Sequence, residues 1–343
     1  MRAVRYHGPE RPFALDEVSA PQPGPGEVRV RIEAAGMCHT ELHFHSGLLN
    51  LGVAPLTMGH EIAGVIDEVG PGVDASRIGE RVVVYYYSGC GICEWCVRGD
   101  ENLCGAPKAQ YGFFHDGGYA EYIAVPSRNA VQLPDSISLE EAAPIGCGVT
   151  TAVHACNLAQ VSAGDVVVVY GIGTVGYGLV QVARHRGATV IGIGRNPEKL
   201  AHAKAIGATH VIDASATDDV NAAVRDLTQG RGADVVFEMV ATTPTMTAST
   251  AMLAKRGRLV FIGYSQDAFQ VHPIQLVINE SVVTASVGNT LDELKEAVQL
   301  VASGVVETRV ERTLPLERWH EGFDDLAAGR AVGRIVLTPH ADN

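Results

Sequence analysis

Residues 166–176 read VVVVYGIGTVG. Four consecutive valines followed by glycines at 171, 173 and 176 describe a short buried strand, a tight turn and the start of a helix. In that setting Gly171 permits the turn, Gly173 lets the backbone approach a diphosphate, and Gly176 lets the helix pack on the strand. Thr174 and Val175 open the helix, whose free N–H groups then face the phosphates. A glycine fingerprint alone recurs by chance, but here a strand precedes it and an apolar helix, VGYGLVQVARHRG, follows. The window 166–183 has no charged residue in 18 positions, enough to suggest a membrane span. Its glycines assign it instead to strand, turn and helix.

Downstream the pattern alternates between strand and helix. Strands are expected at 189–193, 210–212, 234–237 and 259–262, with helices at 217–228 and 244–254. Asn196 caps a helix, PEKLAHAKAIG, that carries Pro197 at its first position and stops at Gly207. This order predicts an α/β fold with a doubly wound parallel sheet. A dinucleotide-binding sheet commonly ends its second strand in an acid that accepts the ribose 2′-OH. Here the strand ends IGIGRNPEK, with Gly194 and Arg195 in that place. Glycine makes room for a 2′-phosphate and arginine pairs with it, which favours NADP(H). The alternative is NAD(H), bound through backbone and Lys199. After 287 a helix (LDELKEAVQLVASG), a strand (ETRVERTLP), a helix near 317–328 and a last strand (GRIVLTP) are expected.

Upstream the chain reads as a β-rich body. Val28, Val30 and Ile32 alternate with Arg29, Arg31 and Glu33, and 62–69 and 81–87 read as further strands. No helical period stands out before Leu139. Residues 36–64, GMCHTELHFHSGLLNLGVAPLTMGHEIAG, bring together Cys38, His60 and Glu61, with Thr40, His43 and His45 close by. Cys147 follows in a GCG. A second cluster, Cys90, Cys93, Cys96 and Cys104, places four thiols within 15 residues. Two-residue gaps let a tight loop present thiolates to one tetrahedral ion, and four thiolates leave no open position, so that site is structural. The two clusters and the fingerprint together ask for two zinc ions and a dinucleotide.

The chain has 343 residues, 46% hydrophobic and 19% charged, which suits a two-domain soluble enzyme. A net charge of −13 argues against nucleic acid or an anionic membrane as partner. The first residues, MRAVRYHGPERP, lack the apolar core of a secretory signal. Seven cysteines without such a signal fit a reducing, cytoplasmic setting better than a disulfide framework, and Cys156 reads as a small buried residue.

GMCHTELH, GHEIAG, the four-cysteine lobe, IGCGVTTA and GIGTVG occur in one order across nearly the whole chain. In these the sequence resembles the zinc-containing alcohol dehydrogenases of the medium-chain dehydrogenase/reductase family. The resemblance implies a GroES-like β-rich catalytic domain over 1–148 and 288–343, with the structural-zinc lobe at about 88–106. It implies a Rossmann cofactor domain over 149–287. Cys38, His60 and Cys147 would then hold a catalytic zinc, leaving a fourth position for water or substrate oxygen. Glu61 would be a nearby carboxylate or transient ligand. Thr40 would hydrogen-bond the substrate oxygen, and His43 would end a relay that passes its proton through the cofactor ribose to solvent. His39 would face the pyrophosphate, Thr151 the nicotinamide, and Tyr86 the substrate pocket, with Tyr85 and Tyr87 turned elsewhere. Substrates would be small alcohols, aldehydes or ketones, and relatives of this kind form dimers or tetramers. Competing readings are a zinc polyol or threonine-type dehydrogenase, a zinc-free enoyl or quinone reductase, and a non-catalytic zinc- and NADP-binding protein.

Overall fold

The computed structural model describes residues 1–341. It divides into two compact units, one made of residues 1–150 with the chain from 289 onward, the other of Thr151–Gly288.

The first unit is built on the strand Glu27–Gly36, whose alternating residues Val28, Val30, Ile32 and Ala34 are all buried. It pairs antiparallel with Glu61–Val69, Tyr122–Pro126 and the late strand Arg334–Thr338. Arg81–Val84 and Ala130–Gln132 extend the sheet on one side, and Val310–Pro315 extends it on the other. The stretch 81–87, expected as one strand, breaks after Val84. Buried Asn129 is the reason. Its Nδ2 donates to the carbonyls of Tyr85 (2.7 Å) and Tyr87 (2.6 Å), and Tyr85 N donates to Asn129 O (2.8 Å). These bonds satisfy the backbone off the ladder and release Tyr87 and Ser88 to pair with Ala109 and Gln110. Two helices also precede Leu139, contrary to expectation: Thr40–His45 and Glu94–Arg98. At six and five residues they are too short to show a hydrophobic period.

The second unit is the doubly wound sheet. Its six parallel strands run in the order His210–Asp213, Thr189–Gly194, Val166–Tyr170, Ala233–Glu238, Leu253–Phe261, Val282–Ala285. Val168, Ile191, Ile193, Val236 and Leu259 pack its core. Chain order reverses between Val166–Tyr170 and Ala233–Glu238, so a crevice opens beyond the carboxyl ends of those two strands. The fifth strand begins at Leu253, earlier than expected, because a register shift absorbs the turn-like Lys255-Arg256-Gly257, where Arg256 takes φ 60°. The edge strand Val282–Ala285 was not legible in the sequence.

Candidate metal centres and cofactor site

Cys38 follows the end of the Glu27–Gly36 strand and leads into the helix Thr40–His45. His60 immediately precedes the strand Glu61–Val69, and Cys147 joins a short turn to the helix Gly148–Leu158. One ligand atom from each of Cys38, His60, Glu61 and Cys147 lies within 4.8 Å of the others. The backbone has made room for this. A Cβ at position 36 would stand 2.0 Å from Glu61 Oε2, so only glycine admits the carboxylate there.

Two residues that the sequence reading did not single out complete the cluster. Glu41 is 1% exposed; its Oε2 accepts from Cys38 N at 2.8 Å and its Oε1 lies 3.4 Å from His60 Nδ1. It thereby fixes the ring so that the other nitrogen faces the thiols. Arg334, on the last strand and 4% exposed, meets Glu61 Oε1 at 2.7 Å and donates to Met37 O at 2.7 Å. Spacing three residues after Cys38 was a signal for Glu41; nothing local pointed to Arg334.

The electrostatics of these groups call for a cation. The Cys38 thiol is pulled well below the usual thiol range by its bond with Cys147, and the same bond, with burial, pushes Cys147 well up. Burial opposes charge on the His60 imidazole, yet bonds to Cys38 and Glu41 push it up to about 10. Burial pushes Glu61 up to about 8 against the pull of Arg334. The protein groups thus share protons among buried acids. A divalent ion held by Cys38, Cys147 and a neutral His60 would take the place of those protons. Glu61 Oε2 has no hydrogen-bond partner among the described residues. Two sulfurs and one nitrogen fit zinc with one position open, and the Glu61 oxygen lies close enough to fill it in turn.

Thr40 Oγ1 lies 3.5 Å from Cys38 Sγ, at the edge of this cluster. His43 follows one turn later on the same helix, half-buried, and burial lowers its pKa. His39 is the residue at that helix's N-cap. Tyr86 is buried, its ring 5.4 Å from that of His60. Tyr87 does not turn away: its ring lies 4.5 Å from Tyr86. Tyr85 does, donating its hydroxyl to Asn289 O at 2.9 Å. Phe113 stacks on Tyr86 at 5.8 Å and also approaches His60 at 5.1 Å.

The second cluster lies in the lobe that carries the helix Glu94–Arg98. Its sulfur–sulfur distances are 3.8 Å (Cys90–Cys96), 3.5 Å (Cys93–Cys96) and 3.9 Å (Cys93–Cys104), and all four cysteines are free thiols. Four thiolates ~2.3 Å from a central zinc would be about 3.8 Å apart, so the donors are already spaced for a tetrahedron. Backbone N–H groups of Ile92 and Cys93 pull Cys90 down to about 6, while burial and the other sulfurs push Cys96 up to about 12.

In the second unit Gly171 takes φ +110° and Gly173 caps the helix Thr174–His185, which Val175 and Gly176 continue. A Cβ at 176 would stand 2.7 Å from Gly171 O. Gly194 ends the second strand, and Arg195 is exposed beside it, near enough to Tyr170 to bias its hydroxyl. Lys199 lies on the helix Pro197–Ala205, whose N-terminus Asn196 caps. Thr151 is buried, on the helix that follows Cys147.

Residues 24–135 match the family model of the alcohol dehydrogenase GroES-like domain, and 174–303 match that of the zinc-binding dehydrogenases. An NAD-dependent alcohol dehydrogenase of Sulfurisphaera tokodaii is 37% identical, with 99% of this chain and 100% of that protein aligned. An alcohol dehydrogenase of Geobacillus stearothermophilus is 36% identical, with 98% and 99% covered. The crystal structure of the alcohol dehydrogenase from Aeropyrum pernix superposes with a TM-score of 0.92 at 32% identity, over 99% of this chain and 100% of that one.

Proposed function

Because the chain belongs to the zinc-containing alcohol dehydrogenases of the medium-chain dehydrogenase/reductase family, we propose that it is a zinc-dependent enzyme interconverting a primary or secondary alcohol with its aldehyde or ketone. The observation that carries this reading is the convergence of Cys38, His60 and Cys147 beside the Thr40 hydroxyl. Bound there, Zn²⁺ would act as Lewis acid and template for the substrate oxygen. A nicotinamide cofactor, bound through Gly171, Gly173 and Gly176, would supply or accept the hydride. Thr40 Oγ1 would accept the alcohol proton while handing its own hydroxyl proton on toward the cofactor ribose, and His43 would pass a proton from there to solvent. Glu41 keeps the His60 ring oriented, and Arg334 holds the Glu61 carboxylate beside the ligand set without letting its charge stand alone. Tyr86 and Phe113 present apolar ring surface to the substrate carbon chain.

For the cofactor we favour NADP(H), with NAD(H) also accepted. Gly194 and Arg195 support this, although the Sulfurisphaera relative is named NAD-dependent. Replacing Gly194 by Asp should move the ratio of kcat/KM for NADP⁺ over NAD⁺ toward NAD⁺ by roughly 10- to 150-fold, one charge-assisted hydrogen bond. The site admits the change, since a Cβ there would lie 3.4 Å from Leu200 Cδ2. A strong wild-type preference for NAD⁺ would sink the NADP reading.

A homo-oligomer also fits. Val282, on the edge strand, is exposed, as are Ile274, Val277 and Ile278 beside it in sequence, an apolar edge that monomers avoid. Free thiols need a reducing compartment, which supports a cytoplasmic setting, and no helix among the described residues is long and apolar enough to cross a membrane. The test of the activity is turnover of benzyl alcohol, a secondary alcohol and a polyol with both cofactors, with and without chelator. Turnover that survives complete loss of metal overturns zinc dependence. Faster turnover of the polyol moves the substrate to the polyol class. Cofactor binding with no turnover of any alcohol leaves the non-catalytic reading.

A further inference from the structure

We propose that Glu238 is a positioning residue for the dinucleotide, holding residues 239–242 as a wall of the cofactor crevice; this rests on the cofactor reading above. Glu238 ends the fourth strand in sheet order, directly beside Tyr170, the last residue before the glycine turn. It is wholly buried, an unusual place for a carboxylate with no cationic partner among the described residues. Its oxygens accept from the Thr245 hydroxyl and from backbone N–H groups of the segment that follows, Val240 N at 3.2 Å and Ala241 N at 2.7 Å. Ala241 takes φ 57°, a left-handed conformation that costs a residue with a Cβ and persists only where the surroundings impose it.

That segment is held from other sides as well. Met239 N donates to Tyr170 O at 2.9 Å, and Ser265 Oγ donates to Ala241 O at 2.5 Å. The result places Val240 at the mouth of the crevice, partly exposed. A Cβ at Gly171 would stand 2.8 Å from Met239 Cβ and 3.0 Å from Val240 Cγ2. The first glycine of the fingerprint and the 239–240 backbone therefore fit against each other, at the point where the strand order reverses and a ligand binds. Glu238 does not reach the ligand; it acts through Val240 and Gly171.

The experiment titrates NADH and NADPH fluorescence against zinc-loaded wild type, Glu238→Ala, Glu238→Gln and Ser265→Ala, with melting temperature and steady-state kinetics for each. For Glu238→Ala both cofactors should bind about 10-fold more weakly, the effect of losing two backbone hydrogen bonds to a carboxylate. Because the wall serves both cofactors, the NADP/NAD ratio should not change. The loss should appear in the cofactor KM, with kcat at saturation within about 3-fold of wild type. Glu238→Gln keeps an acceptor oxygen and should recover most of the affinity. Ser265→Ala, a change in the half-buried loop after the fifth strand, should weaken both cofactors by a smaller factor. If Glu238→Gln and Ser265→Ala fold and Glu238→Ala binds both cofactors as wild type does, the inference is overturned. It is equally overturned if stability falls in all three variants while affinity holds. Wild-type protein that binds neither cofactor would instead overturn the cofactor reading itself.

Discussion

Around Cys90, Cys93, Cys96 and Cys104 the chain offers an ion little besides sulfur and backbone N–H groups, whereas around Cys38, His60 and Cys147 it offers a packed interior of compensating charges. The lobe has almost no core of its own: Ile92 is 86% exposed and Val97 75%. On the proposed reading its ordering would come from ligation. The other cluster is framed by the seven-stranded sheet, and His60 and Glu61 are essentially inaccessible. There the fold is held by its own sheet, and on the proposed reading an ion would be a guest. The contrast teaches that donor chemistry alone does not assign a role. What separates a scaffold ion from a reactive one is whether the surrounding protein is held up by it.

The largest expected effect lies in the lobe. Cys93→Ala should disorder residues near 88–106, forfeiting up to roughly 10 kcal/mol of local ligation energy. Limited proteolysis should cut there while the remaining folded fraction still turns over. Loss of turnover in an otherwise intact lobe would break the contrast at once. Next comes His60→Ala, which should lower kcat/KM by roughly 1,000-fold or more, as expected when the group polarising the substrate oxygen goes. Its circular dichroism should stay close to wild type and its melting curve should fall only as a whole, since buried Glu41 loses a partner, with no local disorder of the kind expected in the lobe variant.

Arg334→Met sharpens the comparison through charge. It leaves Glu61 buried and unpaired, and should cost about 3–5 kcal/mol in denaturant unfolding. The matching lobe pair, Arg128 with Glu101, is 45% and 12% exposed, and Arg128→Ala should cost no more than about 1 kcal/mol. Equal losses would mean that both clusters rest on the same kind of frame. The smallest effect concerns the relay. His43→Ala should slow turnover by roughly 10- to 100-fold, since water replaces an outer proton carrier in part. Thr40→Ala should be clearly worse, because it removes the hydroxyl at the substrate. Identical losses would show that the two do not act in series.

What the sequence revealed followed from local rules. Four cysteines in one loop, and glycines after a run of valines, are short-range patterns with one sensible geometry each. The alternating strand and helix of the second unit was legible for the same reason. What stayed hidden depends on distant chain segments. Arg334 is paired with Glu61 only because the last strand lies beside Glu27–Gly36. The break after Val84 depends on Asn129, whose side chain was an ordinary polar residue until the fold placed it under Tyr85. Tyr87 was expected to turn from Tyr86 on a period of two, and that period lapsed where the ladder did. The helix Thr40–His45 was missed because six residues carry no measurable periodicity, yet it sets the direction of Glu41, Thr40 and His43 together.

The place of Arg334 in chain order has a consequence for biosynthesis. A ribosome delivers Cys38, His60, Glu61 and Cys147 first, then the whole of Thr151–Gly288, and only afterwards the arginine that balances Glu61. At ~5–20 residues per second the delay is roughly ten to forty seconds. During that interval Cys38, His60, Glu61 and Cys147 have been made, but Glu61 lacks the guanidinium that faces it in the folded chain. The last strand is thus a late latch: only when it pairs beside Glu27–Gly36 does Arg334 reach Glu61.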